Sequence, residues 1–196
     1  YIALIDENEV NSDKYYQFAQ DALAQAVKLD KFQSNSELIS AANFNIHIKT
    51  LRKGTEAFQQ NDFATAYDLL KNVSDFKPTD TLLATNVAIC AQNLQQYNEA
   101  LTYFLRAKDN GAKNPSLYQN IANLYASKFE TELAIKTLEE GLKSNANHPI
   151  LTNDYINILL DNEQYEKATK AVESSLKTDK RNKLLFFLYG YLQQNE

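Results

Sequence analysis

An alanine recurs along this chain at a constant interval, and this recurrence limits the possible folds more than any other feature. Ala66, Ala100, Ala134 and Ala168 are each separated from the next by 34 residues. A fixed interval of this length is typical of repeat architectures, in which each unit buries its apolar face against its neighbours. An aromatic residue stands three positions before three of these alanines: Phe63, Tyr97 and Tyr165.

The interval divides the chain into units when the recurring alanine is numbered position 20. Each unit contains two helical patterns separated by a short polar turn. In the third unit, Tyr118, Ile121, Ala122 and Tyr125 follow the i, i+3, i+4, i+7 spacing of one helical face. The small number of glycines and prolines, four and three, also favours helices over a turn-rich β fold. The predicted units are 47–80, 81–114, 115–148, 149–182 and a partial unit 183–196.

Small residues stand where the two helices of a unit must approach each other closely. Position 20 is always alanine, and three of the four glycines (Gly54, Gly141 and Gly190) fall at expected helix contacts. We expect the aromatics at position 17 and large residues at position 24 to fill the space between successive hairpins. Position 8 holds Gly54, Ala88, Ala122, Ile156 and Gly190, and position 24 holds Leu70, Phe104, Leu138 and Val172.

This unit resembles the tetratricopeptide repeat, a 34-residue helix-turn-helix motif. The resemblance covers about 47–196 and rests on the period, the alanine at position 20 and the residues at positions 8, 17 and 24. It implies an all-α fold, a right-handed superhelical solenoid of antiparallel helix-turn-helix repeats. The Trp that the family has at position 4 is missing, and its Pro at position 32 remains only as Pro78. The chain is therefore similar to divergent bacterial members of the family.

Residues 1–46 are less regular and are predicted to form a divergent N-terminal helical repeat or cap. Apolar residues between Tyr16 and Val27 have the pattern of the second helix of a repeat, which ends near Asp30. A polar connection follows, in which Ser36 is expected to be the N-cap of a long helix reaching towards Gln60. From Ala19 to Ala66 there are 47 residues, one period plus an insertion of 13.

The composition argues against several classes of function. A net charge of -5 provides no basic surface for nucleic acid, and no apolar run is long enough to span a membrane. Glycine-rich phosphate loops, nucleophile elbows and metal-ligand spacings are absent, so we expect no enzyme, no cofactor and no metal site. Cys90 has no disulfide partner and is expected to be a packed small residue. The two histidines, His47 and His148, are interpreted as ordinary junction residues.

The resemblance implies a concave groove lined by the first helix of each unit, at positions 2, 5, 6, 9, 12 and 13. These positions are rich in asparagine, whose amide matches the donor and acceptor of an extended peptide backbone. The chain has 21 asparagines, so chance placement is the alternative explanation. A groove specific for C-terminal carboxylates is disfavoured, because Arg52 is its one cation at position 6. The predicted peptide-binding residues are Asn86, Ile89, Asn120, Asn123, Asn153, Asn157 and Leu160.

The segment Leu184–Leu192 is apolar almost all round its helix and indicates a second surface. Phe187 and Tyr191 are predicted to pack against residues beyond Glu196, or else to form a self-association interface.

The favoured function is a non-catalytic scaffold that binds a peptide or partner protein in the groove. The alternatives are an assembly module that forms homo-oligomers and an accessory domain of a longer cell-envelope protein. A periplasmic or cell-envelope location is favoured over the cytoplasm.

Overall fold

The computed structural model describes residues 12–194, and this range is helical apart from short turns. It contains ten helices and no strand within the described residues. The all-α class is therefore confirmed. The helices are α1 (Ser12–Leu29), α2 (Ser36–Gln59), α3 (Phe63–Phe76), α4 (Thr81–Asn93), α5 (Tyr97–Asp109), α6 (Pro115–Ser127), α7 (Thr131–Ser144), α8 (Pro149–Asp161), α9 (Tyr165–Thr178) and α10 (Lys183–Gln193).

The chain divides into two compact units, one on each side of the Lys77–Pro78 bond. The first unit contains α1, α2 and α3, and its best-packed pair is α2 with α3. The second unit contains α4 to α10, in which α4 packs with α5, α6 with α7 and α8 with α9. Each pair is an antiparallel hairpin, as the two patterns within each 34-residue period predict.

Several helices begin where the local sequence supplies a cap. The side chains of Asp62, Asp80 and Asn182 each accept a hydrogen bond from a backbone N–H in the first turn of α3, α4 and α10. Pro115 and Pro149 occupy the first position of α6 and α8, where the missing N–H costs nothing. Helix starts therefore coincide with the start of the predicted units in four of these five cases, α3 being the exception.

The turns inside the hairpins repeat with the same period as the helices. At position 15 the backbone is left-handed, with φ between 57° and 60°, in Asn61, Gln95, Phe129 and Glu163. The residue after each of these donates its backbone N–H to the carbonyl five residues earlier, over 2.8–2.9 Å. This is the Schellman arrangement that closes a helix C-terminus, normally with glycine in the left-handed position. Here the backbone forms it four times without glycine.

The recurring small residues lie at close helix contacts, as expected. All four alanines at position 20 have 0% exposure, and the large residues at position 24 are buried behind them. A Cβ added to Gly54 would lie 2.8 Å from Cδ2 of Leu70, and one added to Gly141 would lie 2.8 Å from Cβ of Tyr118. These two glycines are therefore required by the distance between helices.

Three details of the sequence interpretation are wrong. Gly190 meets no atom within 4 Å of an added Cβ, because no second helix of its hairpin lies among the described residues. Tyr97 is 49% exposed and so does not fill the space between hairpins. Ser36 is the first residue of α2, and the N-cap is Asn35. The backbone N–H of Asn35 donates a hydrogen bond to the Asp30 carboxylate.

Candidate functional site

The first helices of the second unit present one continuous outward stripe. We call positions 2, 5, 6, 9, 12 and 13 of α4, α6, α8 and α10 the first-helix face. No described residue at these positions is buried, whereas the opposite side of each helix enters the core. On α4, for example, Asn86 and Ile89 remain accessible while Val87, Ala88 and Cys90 have 0% exposure.

All seven predicted peptide-binding residues lie on this face. Asn86, Ile89, Asn120 and Leu160 are half-buried, and the other three, Asn123, Asn153 and Asn157, are exposed.

The five asparagines make no side-chain hydrogen bond within the described part of the chain. By contrast, Asn110, Asn145 and Asn162 lie outside this face and donate their amides to backbone carbonyls at 2.7–2.8 Å. These five amides are thus available to a ligand, whereas Asn93 and Gln119 on the same face already donate to the Ile89 carbonyl and to Asp154.

One hydrogen bond fixes the register between neighbouring first helices. The Nε2 of Gln119 on α6 donates to Oδ2 of Asp154 on α8 over 2.7 Å, and both side chains are partly buried. The bond joins position 5 of one unit to position 6 of the next. By the same period, Thr85 should face Asn120, and Asn153 should face Leu188. The polar stripe therefore gives way to apolar residues where α10 begins.

The predicted interface residues Phe187 and Tyr191 belong to this apolar end of the first-helix face. They stand at positions 5 and 9 of α10, with exposures of 71% and 47%. Leu160 and Leu188, also on this face, are partly buried against the core cluster to which α7, α8, α9 and α10 contribute. Counting positions along α10 from the sequence joins this surface to the predicted groove, so the two are one face.

The charge of the first-helix face is entirely negative among the described residues. Asp154 and Asp161 carry it, and no lysine or arginine occupies any of its positions on α4, α6, α8 or α10. Lys128 and Lys183 lie just outside it, at positions 14 and 1. A free carboxylate on a ligand would therefore meet no lysine or arginine at these described positions.

The first unit has a separate apolar cleft that the sequence analysis did not identify. A space of about 660 Å³ lies between the C-terminal half of α1 and the N-terminal part of α2. Its walls are mainly alanine, leucine and isoleucine, with Asp30 and Asn35 at one end. Small residues at Ala22, Ala26 and Ala42 leave the cleft open.

The remaining candidates for chemistry have structural roles. Burial raises the pKa of the Cys90 thiol to about 11, so this thiol is not an activated nucleophile. The His47 ring stacks on Phe76 with centroids 3.9 Å apart, and its Nδ1 lies 2.7 Å from the Asn43 carbonyl oxygen.

The described residues contain no group of three or more side chains placed to hold a metal ion. Among the described helices, none is both long enough and apolar enough to cross a bilayer.

Comparison with known proteins identifies the repeat. A family model described as tetratricopeptide repeat matches residues 115–148, the span of the third predicted unit. None of the curated proteins compared with the sequence matches it.

Solved structures are similar in fold at low identity. A tetratricopeptide repeat protein from Parabacteroides merdae ATCC 43184 is 20% identical with a TM-score of 0.64, and the match covers 76% of this chain. This chain spans 60% of the length of that protein. YrrB, described as a TPR protein with an unusual peptide-binding site, is 14% identical over 80% of this chain and 81% of its own, with a TM-score of 0.62. The MamA protein is also 14% identical, over 76% of this chain and 81% of its own, with a TM-score of 0.63.

These likenesses confirm the solenoid class of antiparallel helix-turn-helix repeats over the matched range. Residues 115–148 therefore match the tetratricopeptide repeat by sequence, and the array is similar in fold to solved tetratricopeptide repeat structures.

Proposed function

We propose that this chain is a non-catalytic interaction scaffold that holds an extended peptide segment on the first-helix face of its second unit. Tetratricopeptide repeats are in general non-catalytic scaffolds for protein partners. The finer assignment concerns which surface binds and how it does so. One observation carries it: five asparagine amides lie on successive first helices without an internal hydrogen-bond partner.

The chemistry of the face suits a peptide backbone better than a specific side chain. Each amide offers one acceptor and two donors, and an extended peptide presents donors and acceptors at regular intervals. Asn86, Asn120, Asn123 and Asn157 lie on three successive helices, so a single segment crossing the face would meet them in turn. The description of YrrB as having a peptide-binding site is consistent with such a role for this fold.

Selection from a displayed library of random twelve-residue peptides tests the proposal. Peptides enriched on the wild-type chain are then titrated by fluorescence anisotropy against a variant carrying Asn120→Ala, Asn123→Ala and Asn157→Ala. Loss of three hydrogen bonds should cost about 2–3 kcal/mol, which is a weakening of about 30- to 100-fold.

The matched control carries Asn45→Ala, Asn72→Ala and Asn98→Ala, which are exposed helical asparagines outside the first-helix face. It should bind like wild type. Equal affinity of both triple variants for the enriched peptides would overturn the assignment of the site.

A second candidate function is assembly through α10, and the exposure of its apolar residues favours it. Leu184, Phe186, Phe187 and Tyr191 are between 47% and 71% exposed. Contiguous apolar surface of this kind marks an interaction site. Sedimentation equilibrium over a hundredfold range of concentration separates the two functions. A wild-type mass that rises with concentration, together with a lower mass for the Phe187→Ser variant, would support assembly. A constant monomer mass for the wild type would exclude it.

A further inference from the structure

The first-helix face changes character along its length, and the change specifies the peptide that it fits. At α4 and α6 the face is uncharged, and most of its polar side chains are amides. At α8 it carries Asp154 and Asp161, and at α10 it becomes apolar, with Phe187, Leu188 and Tyr191. A ligand that crosses the whole face must satisfy three environments in a fixed order.

We propose that the bound segment is an extended peptide with a lysine or arginine placed several residues from an aromatic or large aliphatic side chain. This inference rests on the proposed function and adds the chemistry of the partner. The basic side chain pairs with Asp154, and the apolar side chain packs on Phe187 and Tyr191. The rest of the segment contacts the asparagines through its backbone.

The preference for a basic residue in the peptide depends on how the Asp154 carboxylate is held. Its Oδ2 accepts a 2.7 Å hydrogen bond from Gln119, which orients the carboxylate on the face. The group is only half-buried, and the face around it supplies no lysine or arginine among the described residues. A positive charge on the ligand is therefore the complement that the face lacks, and a negative charge would be repelled.

The preference for an apolar side chain in the peptide depends on how exposed the aromatic residues of α10 are. Phe187 and Tyr191 stand outside the core, whereas Leu160 and Leu188 are partly buried against it. Phe187 and Tyr191 therefore expose aromatic surface on the same face as these leucines. A buried apolar side chain at such a site is the usual anchor of a protein interface.

The spacing between the two anchors follows from the side of the helix on which each stands. Asp154 lies on the side of α8 that bonds to α6, whereas Phe187 stands at position 5 of α10, away from the position 6 that should face α8. Packed helices are separated by about 8–10 Å, and an extended chain advances about 3.3 Å per residue. The two anchors are therefore further apart than one helix separation, and more than three residues of peptide are needed to join them.

Synthetic peptides test this inference directly. The first is a fluorescein-labelled twelve-residue peptide with Lys and Phe about five positions apart in a background of Gly, Ser and Gln. The others replace Lys by Glu, replace Phe by Ser, or place the two residues adjacent. The first peptide should bind at least about fivefold more tightly than each of the others, because each loses one anchor worth about 1 kcal/mol or more.

Protein variants assign each anchor to its residue. Asp154→Asn keeps an oxygen that can accept from Gln119 but removes the charge, and should weaken the Lys peptide about fivefold while leaving the Glu peptide unweakened. Phe187→Ser should weaken the Phe peptide about tenfold. The matched controls Asp68→Asn and Phe129→Ser alter an exposed aspartate and a 93% exposed phenylalanine outside the face, and should change neither affinity.

The outcomes distinguish this inference from the proposed function. If peptides selected on the wild-type chain depend on the three asparagines but the four synthetic peptides bind equally, the partner chemistry is wrong and the groove stands. If Asp154→Asn strengthens or fails to alter binding of the Lys peptide, the charge pairing is wrong. If no peptide binds and none is enriched from the library, the proposed function fails and the inference fails with it.

Discussion

The hairpins of the second unit and the α1–α2 hairpin of the first use small residues to opposite effect. In the hairpin of α6 and α7, the small residue Gly141 faces the large residue Tyr118 at contact distance. In the α1–α2 hairpin, Ala22 and Ala26 face an open cleft of about 660 Å³. The buried cluster there contains only Tyr16, Ala19 and Ile46. Small residues thus permit close approach, but a large residue opposite them is needed to stabilise it.

The largest effect that tests this comparison is expected from adding carbon atoms at a closed contact. In Gly141→Val the new side chain would overlap Tyr118 and Leu151, whose atoms lie 2.8–3.1 Å from the position of an added Cβ. Overpacking of this kind should destabilise the second unit by about 3 kcal/mol. Urea denaturation followed by circular dichroism measures the loss.

Gly190→Val is the matched control, since an added Cβ there meets nothing within 4 Å. It should be neutral or stabilising by a few tenths of a kcal/mol, because valine is the better helix former. Equal losses in both variants would mean that the Gly141 contact is not what holds α6 and α7 together.

The same kind of addition should have the opposite sign in the first unit. Ala26→Leu places apolar atoms in the α1–α2 cleft and should stabilise that unit by about 1 kcal/mol through burial. Ala24→Leu, on the exposed side of α1, is the control and should change stability by less than about 0.5 kcal/mol. A loss of stability in Ala26→Leu, measured by thermal unfolding, would show that the cleft is closed in solution.

The smallest effect concerns two tyrosines with hydrogen-bonded hydroxyls, the half-buried Tyr155 and the buried Tyr16, one from each region. Burial, together with the hydrogen bond that Tyr155 donates to the Glu139 carboxylate over 2.9 Å, raises the pKa of Tyr155 to about 12. Below pH 10 the phenol is protonated in both states. Between pH 10 and pH 12 only the unfolded chain loses the proton, so stability falls as pH rises through this window.

In Tyr155→Phe the fall of stability from pH 10 upwards should be less steep than in wild type. Burial also raises the pKa of Tyr16, but there the partner is the neutral hydroxyl of Thr50, at 2.6 Å, and this bond opposes the shift. Tyr16→Phe should therefore flatten the curve less than Tyr155→Phe. Denaturant midpoints at half-unit pH steps compare the two, and a larger flattening in Tyr16→Phe would contradict the role of the Glu139 charge.

The fold was predictable because the information that specifies it is local and repeated. Helix periodicity, the alanine at position 20 and the turn positions recur in the four complete units. Each unit therefore supports the same helix-turn-helix prediction independently. Ala66 and Ala168 are fully buried for the same reason, although 102 residues separate them. The N-cap at Asn35 was not predicted, because a single hydrogen bond to Asp30 decides which of two adjacent polar residues caps the helix.

The candidate site was predictable as a set of positions but not as an arrangement. The asparagines follow from the period, and each of them lies where the period places it. The bond between Gln119 and Asp154 needs two helices in a particular register, which composition does not report. The α1–α2 cleft was not predicted for a related reason. The spacing of the alanines in the sequence is the same whether the facing helix is in contact with them or distant.

The four left-handed turns at position 15 have a consequence for how such a chain diverges. Each turn is closed by backbone N–H and carbonyl groups, which do not depend on the identity of the side chain. Asn, Gln, Phe and Glu all occupy this position, and Phe129 extends almost fully into solvent there. Selection on side-chain identity is therefore weak at these turn positions. They can accumulate substitutions while the helices keep their spacing. Every 34 residues, the chain has one site where a new side chain can be acquired without disturbing the fold.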